Sequence, residues 1–121
     1  MVERVLLIED TITANSTLFS GLSDISEVIR ARSVIEAIAQ IARFGPLTIV
    51  ADCPIGGEDA PEVMSALRDF GFEGAIIVVH RAKTPEEHEA LISAGAFAAI
   101  PKPVDQTTLI AAVLRAADTP R

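Results

Sequence analysis

The sequence predicts a three-layer α/β sandwich built around a parallel five-stranded sheet. Apolar runs typical of β-strands alternate five times with helix-type segments, and no linker, repeat or low-complexity tract interrupts them. Three of the runs are almost continuously apolar, as is typical of parallel strands covered on both faces. A chain of 121 residues is also the size of one ordinary domain. We therefore expect residues 1–121 to form a single domain.

The predicted strands are Val5–Ile8, Glu27–Ala31, Leu47–Ala51, Ala75–Val79 and Phe97–Ile100. The right-handed crossover rule and the size of the chain favour the flavodoxin-like strand order 2-1-3-4-5. In that order the winding direction reverses between strands 1 and 3. Ligand chemistry is therefore expected at the carboxyl ends of these two strands.

Local signals indicate where the helices begin and end. Ser33 and Glu36 form a capping box, and the helix after them has the apolar stripe Val34, Ile35, Ile38, Ile41 and Ala42. Thr84 and Asp105 are predicted to cap the fourth and fifth helices. A left-handed residue is favoured just past a helix end, where this chain has Gly45, Gly71 and Gly95.

Composition excludes several functional classes. The net charge of −7 argues against binding to a nucleic acid backbone, because no basic stripe or aromatic platform offsets it. The apolar runs are far shorter than the ~20 residues that span a bilayer. No secretory signal is recognisable at the start, so a cytoplasmic location without membrane contact is expected. The single cysteine, Cys53, excludes an internal disulfide and a cysteine-cluster metal site.

Three carboxylates follow strands that should be neighbours in the sheet. Glu9 and Asp10 come after strand 1, and Asp52 comes after strand 3. Such groups repel one another unless a cation joins them, and a few hard oxygen ligands suit Mg²⁺. The residues alone leave an alternative open, in which these are solvated turn acids that bind no metal.

A lysine lies at the same edge of the predicted sheet. Lys102 stands between two prolines directly after strand 5, in a turn that the prolines stiffen. Its ammonium group is suited to pair with Asp52 and to contact a phosphoryl oxygen once Asp52 carries one. A surface lysine in an ordinary strand-ending turn is the alternative.

Taken together, these motifs resemble the receiver domain of two-component response regulators. The shared features are the acid pair after strand 1, the acid after strand 3, the segment AGA at 94–96 and the segment KP at 102–103. The resemblance covers essentially the whole chain, including the seven residues from Gly95 to Lys102. It implies a signalling domain rather than an enzyme in the ordinary sense.

The resemblance also implies a role for each site residue. Asp52 matches the phosphoacceptor, which receives a phosphoryl group from a histidine kinase or a histidine phosphotransfer protein. Asp10 and Asp52 match direct Mg²⁺ ligands, Glu9 a ligand that acts through water, and Pro54 the residue whose backbone carbonyl completes the set. Lys102 matches the lysine that contacts the phosphoryl group, and the bond between it and Pro103 is expected to be cis.

Two positions depart from the family pattern. His80 stands where receivers have Ser or Thr, and Ala99 stands where they have an aromatic residue. Three interpretations of His80 remain open: a hydrogen-bond donor to the phosphoryl group, a group that acts on the attacking water, or a polar side chain turned to solvent. The loop after Asp52 also differs, and Gly56-Gly57 predicts a looser turn there.

Neither Cys53 nor His88 is expected to take part in the chemistry of the site. Cys53 is expected to be a small side chain packed beneath the site, because the sequence offers no charge partner that would lower its pKa. His88 is expected on the solvated face of an acidic helix.

Two functions remain after these exclusions. The first is a phosphoacceptor receiver that acts through contacts with a downstream protein or with an output domain beyond these residues. The second is a degenerate receiver that binds partners without phosphorylation, which His80 and Ala99 favour. A phosphohydrolase is disfavoured because Pro54 cannot replace the general acid such enzymes carry, and flavin or nucleotide binding because no glycine-rich turn follows strand 1.

Overall fold

A computed structural model describes residues 4–10, 16–46, 48–81 and 84–118 of the chain. Five strands form one parallel sheet in the predicted order 2-1-3-4-5, and helices cover both faces. The strands are β1 (Arg4–Ile8), β2 (Glu27–Ala31), β3 (Thr48–Asp52), β4 (Ala75–His80) and β5 (Ala98–Pro101). The helices are α1 (Thr17–Ser23), α2 (Val34–Phe44), α3 (Ala60–Phe70), α4 (Pro85–Ser93) and α5 (Gln106–Asp118). The flavodoxin-like fold is therefore confirmed.

The predicted strand boundaries agree with the observed ones to within a residue or so. β2 matches its prediction, whereas β3 and β4 each run one residue further, to Asp52 and His80. β5 lies one residue later than predicted. Leu47, the predicted first residue of β3, lies outside the described residues.

Side-chain alternation divides the core into two apolar layers. One layer joins the sheet to α2, α3 and α4, and its largest fully buried members include Leu6, Ile8, Ile49, Ile76 and Leu67. The other joins the sheet to α1 and α5 through Leu7, Val50, Ile77, Leu22 and Leu109. Burial of apolar surface on both faces is the main stabilising term, and each buried aliphatic side chain contributes roughly 1.5–3 kcal/mol.

The predicted helix caps are present. The Ser33 hydroxyl accepts a hydrogen bond from the Glu36 amide, and Thr84 accepts one from the Glu87 amide. Asp105 accepts one from the Thr107 amide, the second residue of α5. Positive φ values of 60°, 111° and 111° at the helix ends belong to Gly45, Gly71 and Gly95. These local signals therefore set the helix limits.

The predicted stripe of α2 is only partly correct. Ile35 is 83% exposed, Ala42 is exposed as well, and Ala37 is the fully buried residue of this helix. The face that packs against the sheet is centred on Ala37 and flanked by Val34, Ile41 and Phe44. A helix with apolar residues around more than half of its circumference leaves some of them in solvent, and periodicity alone does not identify which.

Candidate functional site

The three predicted carboxylates lie at one edge of the sheet. Ile8, the last residue of β1, is in register with both Ala31 of β2 and Ala51 of β3. Glu9 and Asp10 therefore leave β1 beside Asp52, the last residue of β3. This edge is the carboxyl end of the strands at the point where the winding direction reverses, as predicted.

Asp52 is paired with the predicted lysine. The Nζ atom of Lys102 lies 2.7 Å from Oδ1 of Asp52 and donates a hydrogen bond of 2.9 Å to the Cys53 carbonyl. Both side chains of the pair are about a quarter exposed, at 26% for Asp52 and 23% for Lys102. An ammonium group is thus held against the carboxylate, while the site stays open to a reactant from solvent.

The backbone around Lys102 is fixed from both sides. The Lys102 amide donates to the His80 carbonyl at 2.9 Å, which extends the pairing of β4 with β5 by one bond. The Lys102–Pro103 peptide bond is cis, as predicted, and the Cys53–Pro54 bond is cis as well. The lysine side chain therefore starts from a defined backbone position and reaches across β4 to β3.

Asp10 contacts the loop that follows β3. Its Oδ1 atom accepts a hydrogen bond of 2.8 Å from the Gly56 amide. Gly56 and Gly57 have φ values of 58° and 80°, and reciprocal backbone bonds of 2.9 Å join Ile55 and Glu58 around them. The expected looser turn is therefore wrong. Two consecutive positive φ values close a tight two-residue turn, for which a pair of glycines is well suited.

Glu9 is oriented by contacts that the sequence did not predict. It is only 7% exposed, and both of its carboxylate oxygens accept from the Ser16 hydroxyl, at 3.1 and 2.9 Å. Nη2 of Arg30 lies 3.5 Å from Oε1 of Glu9. The available signal for this contact was Arg30 itself, a charged residue inside the strand EVIRA, whose other charged residue, Glu27, stands at its first position. Arg30 indicates a contact with Glu9 only once the pairing of β1 with β2 is known.

The remaining oxygen donors suit a hard divalent cation. Among the described residues, no three His, Cys, Asp or Glu side chains group as a metal site by themselves. Because Glu9 is held by Ser16 and Arg30, the candidate donors are the carboxylates of Asp10 and Asp52 and the backbone carbonyl of the exposed residue Pro54. Two carboxylates, one carbonyl and several waters form a donor set that Mg²⁺ accepts.

His80 is buried, so the solvent-facing interpretation of this residue is wrong. It is 5% exposed, and its ring centroid lies 5.6 Å from that of His88. His88 is half-buried, which also corrects its predicted place on a solvated face. The ring of His80, the last residue of β4, therefore meets a side chain of α4. His80 also borders a cavity of about 540 Å³, which is lined by Cys53, Pro54 and Glu87 as well.

Burial and nearby charges lower the pKa of His80. Desolvation lowers its pKa below the ordinary 6.5, His88 and Lys102 lower the pKa further, and Glu87 opposes them. The folded protein therefore holds His80 neutral at pH 7, whereas the unfolded chain takes up a proton more readily below 6.5.

Acidification should consequently destabilise the fold through His80. A group whose pKa is lowered in the folded state contributes stability above its unfolded pKa, and that contribution is lost as the pH falls below it. We expect the melting temperature to fall between pH 7 and pH 5, and to fall less steeply in His80→Gln. Thermal melts of both proteins across this range test the prediction, and equal slopes would refute it.

Cys53 has the structural role predicted for it. It is 3% exposed, and burial together with the neighbouring Asp52 raises the pKa of its thiol to about 12. Lys102 opposes this shift without cancelling it. The thiolate is therefore scarce at neutral pH, and the thiol packs as a small apolar group.

The fold and this site together define a class of protein. A family model described as the response regulator receiver domain matches residues 5–114, so the chain belongs to this family. Receiver domains are signalling domains of two-component systems rather than enzymes in the ordinary sense. No curated protein sequence matches the chain.

Solved structures agree with this assignment at the level of the fold. A putative response regulator from Chloroflexus aurantiacus is 23% identical with a TM-score of 0.83, over 98% of this chain and all of the other. The chemotaxis response regulator CheY4 of Vibrio cholerae is 23% identical with a TM-score of 0.78, over 96% of this chain and 99% of its own. A receiver domain protein from Clostridium thermocellum is 19% identical with a TM-score of 0.82, over 97% and 95%.

Among the described residues, no helix is both long and apolar enough to cross a membrane.

Proposed function

We propose that residues 1–121 form a single receiver domain that takes a phosphoryl group on Asp52 in a magnesium-dependent reaction. The donor is a phosphohistidine on a histidine kinase or a histidine phosphotransfer protein. The observation that carries the proposal is the 2.7 Å contact between Lys102 and Asp52 at the carboxyl edge of the sheet. A cytoplasmic location stays a prediction from the sequence.

In this reaction Asp52 acts as the nucleophile. One of its carboxylate oxygens forms a bond to phosphorus while the bond between phosphorus and the donor's imidazole nitrogen breaks, and the leaving imidazole takes up a proton. Such a transfer depends on alignment and on charge neutralisation more than on proton transfer. The position of Asp52 supports this role, because its side chain is one quarter exposed at the end of β3, where a donor can reach it.

Lys102 supplies the fixed positive charge. Its ammonium group already lies against Asp52 and is held by the Cys53 carbonyl, so little reorganisation is needed when a phosphoryl oxygen arrives beside it. Asp10, Asp52 and the Pro54 carbonyl would hold Mg²⁺. When bound, the ion would neutralise charge on the phosphoryl oxygens.

His80 is proposed as a further donor to the phosphoryl group, in place of the usual hydroxyl. Its support is its place at the end of β4, next to β3, with α4 as the following element in the chain. Leucine cannot donate a hydrogen bond, so a phosphoryl lifetime that is the same in His80→Leu as in the natural protein would remove this role.

The output of the domain is proposed to be a contact with a downstream protein or with an output domain. A receiver that binds partners without phosphorylation is not favoured, because the pairing of Lys102 with Asp52 has no evident use in such a module. Ala99 is half-buried against the core layer beneath α4, so the switching route cannot use an aromatic ring at this position.

Magnesium-dependent phosphorylation by a small donor tests the proposal. We expect the mass of the intact protein to increase by one phosphoryl group on incubation with acetyl phosphate and Mg²⁺. The reason is that Mg²⁺ and the Lys102 ammonium group would neutralise charge on the reacting oxygens. Chelation of the metal should suppress the increase by at least about tenfold. Equal uptake with and without Mg²⁺, or no uptake at all, would contradict the proposal.

A further inference from the structure

Glu9 is the most buried of the three carboxylates at this edge of the sheet, and it contacts both Ser16 and Arg30. It lies beneath the protein surface, and the Ser16 hydroxyl binds both of its oxygens. Ser16 is itself fixed, because its hydroxyl accepts a hydrogen bond of 3.1 Å from the Phe19 amide as the N-cap of α1. The Glu9 carboxylate is therefore directed toward the beginning of α1.

Arg30 provides the positive charge next to this carboxylate. It comes from β2, where it is in register with Leu7 of β1, and its Nη2 atom lies 3.5 Å from Glu9. Its guanidinium carbon lies 4.1 Å from the centroid of the Phe19 ring. Stacking on an aromatic face and a partly buried side chain, 21% exposed, restrict this arginine to one position.

The charges at this edge of the sheet are close to balance. Three carboxylates, Glu9, Asp10 and Asp52, meet two cations, Arg30 and Lys102. Lys102 is needed at Asp52 for the proposed transfer, whereas Arg30 contacts Glu9, which contributes no direct ligand in the proposed site. Arg30 therefore lowers the negative potential that attracts a divalent cation, through its charge and its contact with Glu9.

We propose that Arg30 is a positioning residue that holds Glu9 against Ser16, offsets its charge, and thereby weakens Mg²⁺ binding at Asp10 and Asp52. The inference rests on the proposed function, because it takes these two carboxylates as the metal ligands. A receiver with this arrangement binds the metal more weakly than a receiver in which no positive charge lies beside the acid pair. Phosphorylation then depends on Mg²⁺ over a higher range of concentration.

Metal affinity in Arg30→Met tests the inference without any phosphorylation. Removal of a positive charge close to a divalent cation should tighten Mg²⁺ binding by about tenfold, measured by calorimetric titration. The same charge change in Arg4→Met is the matched control. Arg4 lies at the opposite end of β1 and pairs with Glu27, so its removal should leave the affinity unchanged.

Further variants separate charge from folding. Arg30→Lys keeps the positive charge and should keep the affinity close to that of the natural protein. Arg30→Gln keeps an N–H donor for Glu9 and should reproduce the tighter binding if Arg30→Met does not fold. In Arg30→Met without metal, the uncompensated Glu9 charge should lower the melting temperature, and Mg²⁺ should raise it more than in the natural protein.

Each result decides one claim. Tighter binding in Arg30→Met and Arg30→Gln, with Arg4→Met unchanged, would support the role of Arg30. If the natural protein binds Mg²⁺ and both Arg30 variants bind it equally well, the inference fails while the proposed function stands. If neither the natural protein nor any variant binds Mg²⁺, the metal site in the proposed function fails, and the inference fails with it.

Discussion

Asp52→Asn should abolish phosphoryl uptake from acetyl phosphate. The amide lacks the nucleophilic carboxylate oxygen, and the change also removes one of the two carboxylates that would hold Mg²⁺. The fold should persist, because Asp52 is the partly exposed last residue of β3 and Lys102 keeps its hydrogen bond to the Cys53 carbonyl. We expect a melting temperature close to that of the natural protein, with no increase in intact mass after incubation.

Asp59→Asn is the matched control for this prediction. Asp59 is an exposed carboxylate in the same loop, directly before α3, and its side chain makes no capping hydrogen bond. It undergoes the same chemical change without removing a proposed ligand or nucleophile, so uptake should continue. Phosphoryl uptake by Asp52→Asn at the rate of Asp59→Asn would show that another group is the acceptor.

Lys102→Met should slow phosphoryl uptake by about two orders of magnitude while leaving Asp52 able to react. Removing one prepositioned charge from a reacting oxygen typically costs ~10²–10³ in rate. Methionine retains most of the aliphatic length that crosses β4, so packing should change little. The measurement is the rate of intact-mass increase at saturating Mg²⁺, so that any change in metal affinity does not enter.

The control for the lysine again uses Arg4→Met, which removes one positive charge at the far end of the sheet. Its uptake rate should match that of the natural protein. Lys102→Met reacting as fast as Arg4→Met would mean that the contact of 2.7 Å with Asp52 has no part in the transfer.

Much of the fold could be predicted because it depends on local patterns. Continuous apolar runs identified the buried strands, and the residues at Ser33, Thr84 and Asp105 identified helix starts through bonds to amides two or three positions away. The strand order then placed Asp10 and Asp52 at one edge of the sheet. Each of these inferences needs only short-range physics and the handedness of the crossovers.

The features that were missed depend on tertiary contacts. Arg30 reaches Glu9 from a neighbouring strand, and His80 of β4 meets His88 of α4. Ile35 lies on an apolar stretch of α2 yet points to solvent. Composition and periodicity do not indicate which of several possible neighbours a side chain contacts, because such contacts form only when distant segments come together in the fold.

The turn at Gly56-Gly57 was mispredicted for a different reason. Two glycines permit a loose segment, but they equally permit the tight turn that positive φ values close. Here the second outcome is favoured, because the Gly56 amide then donates to Asp10. The loop after the proposed phosphoacceptor is thereby tied to a proposed metal ligand.

The identity of the acceptor residue is the central claim, and chemical trapping of the acyl phosphate tests it most directly. Borohydride reduces an aspartyl phosphate to homoserine, so the natural protein can be incubated with acetyl phosphate and Mg²⁺, reduced, digested and sequenced by mass spectrometry. We predict homoserine at residue 52, formed only when both reagents are present. Homoserine at another aspartate, or none at residue 52 in protein that has taken up a phosphoryl group, would contradict the account.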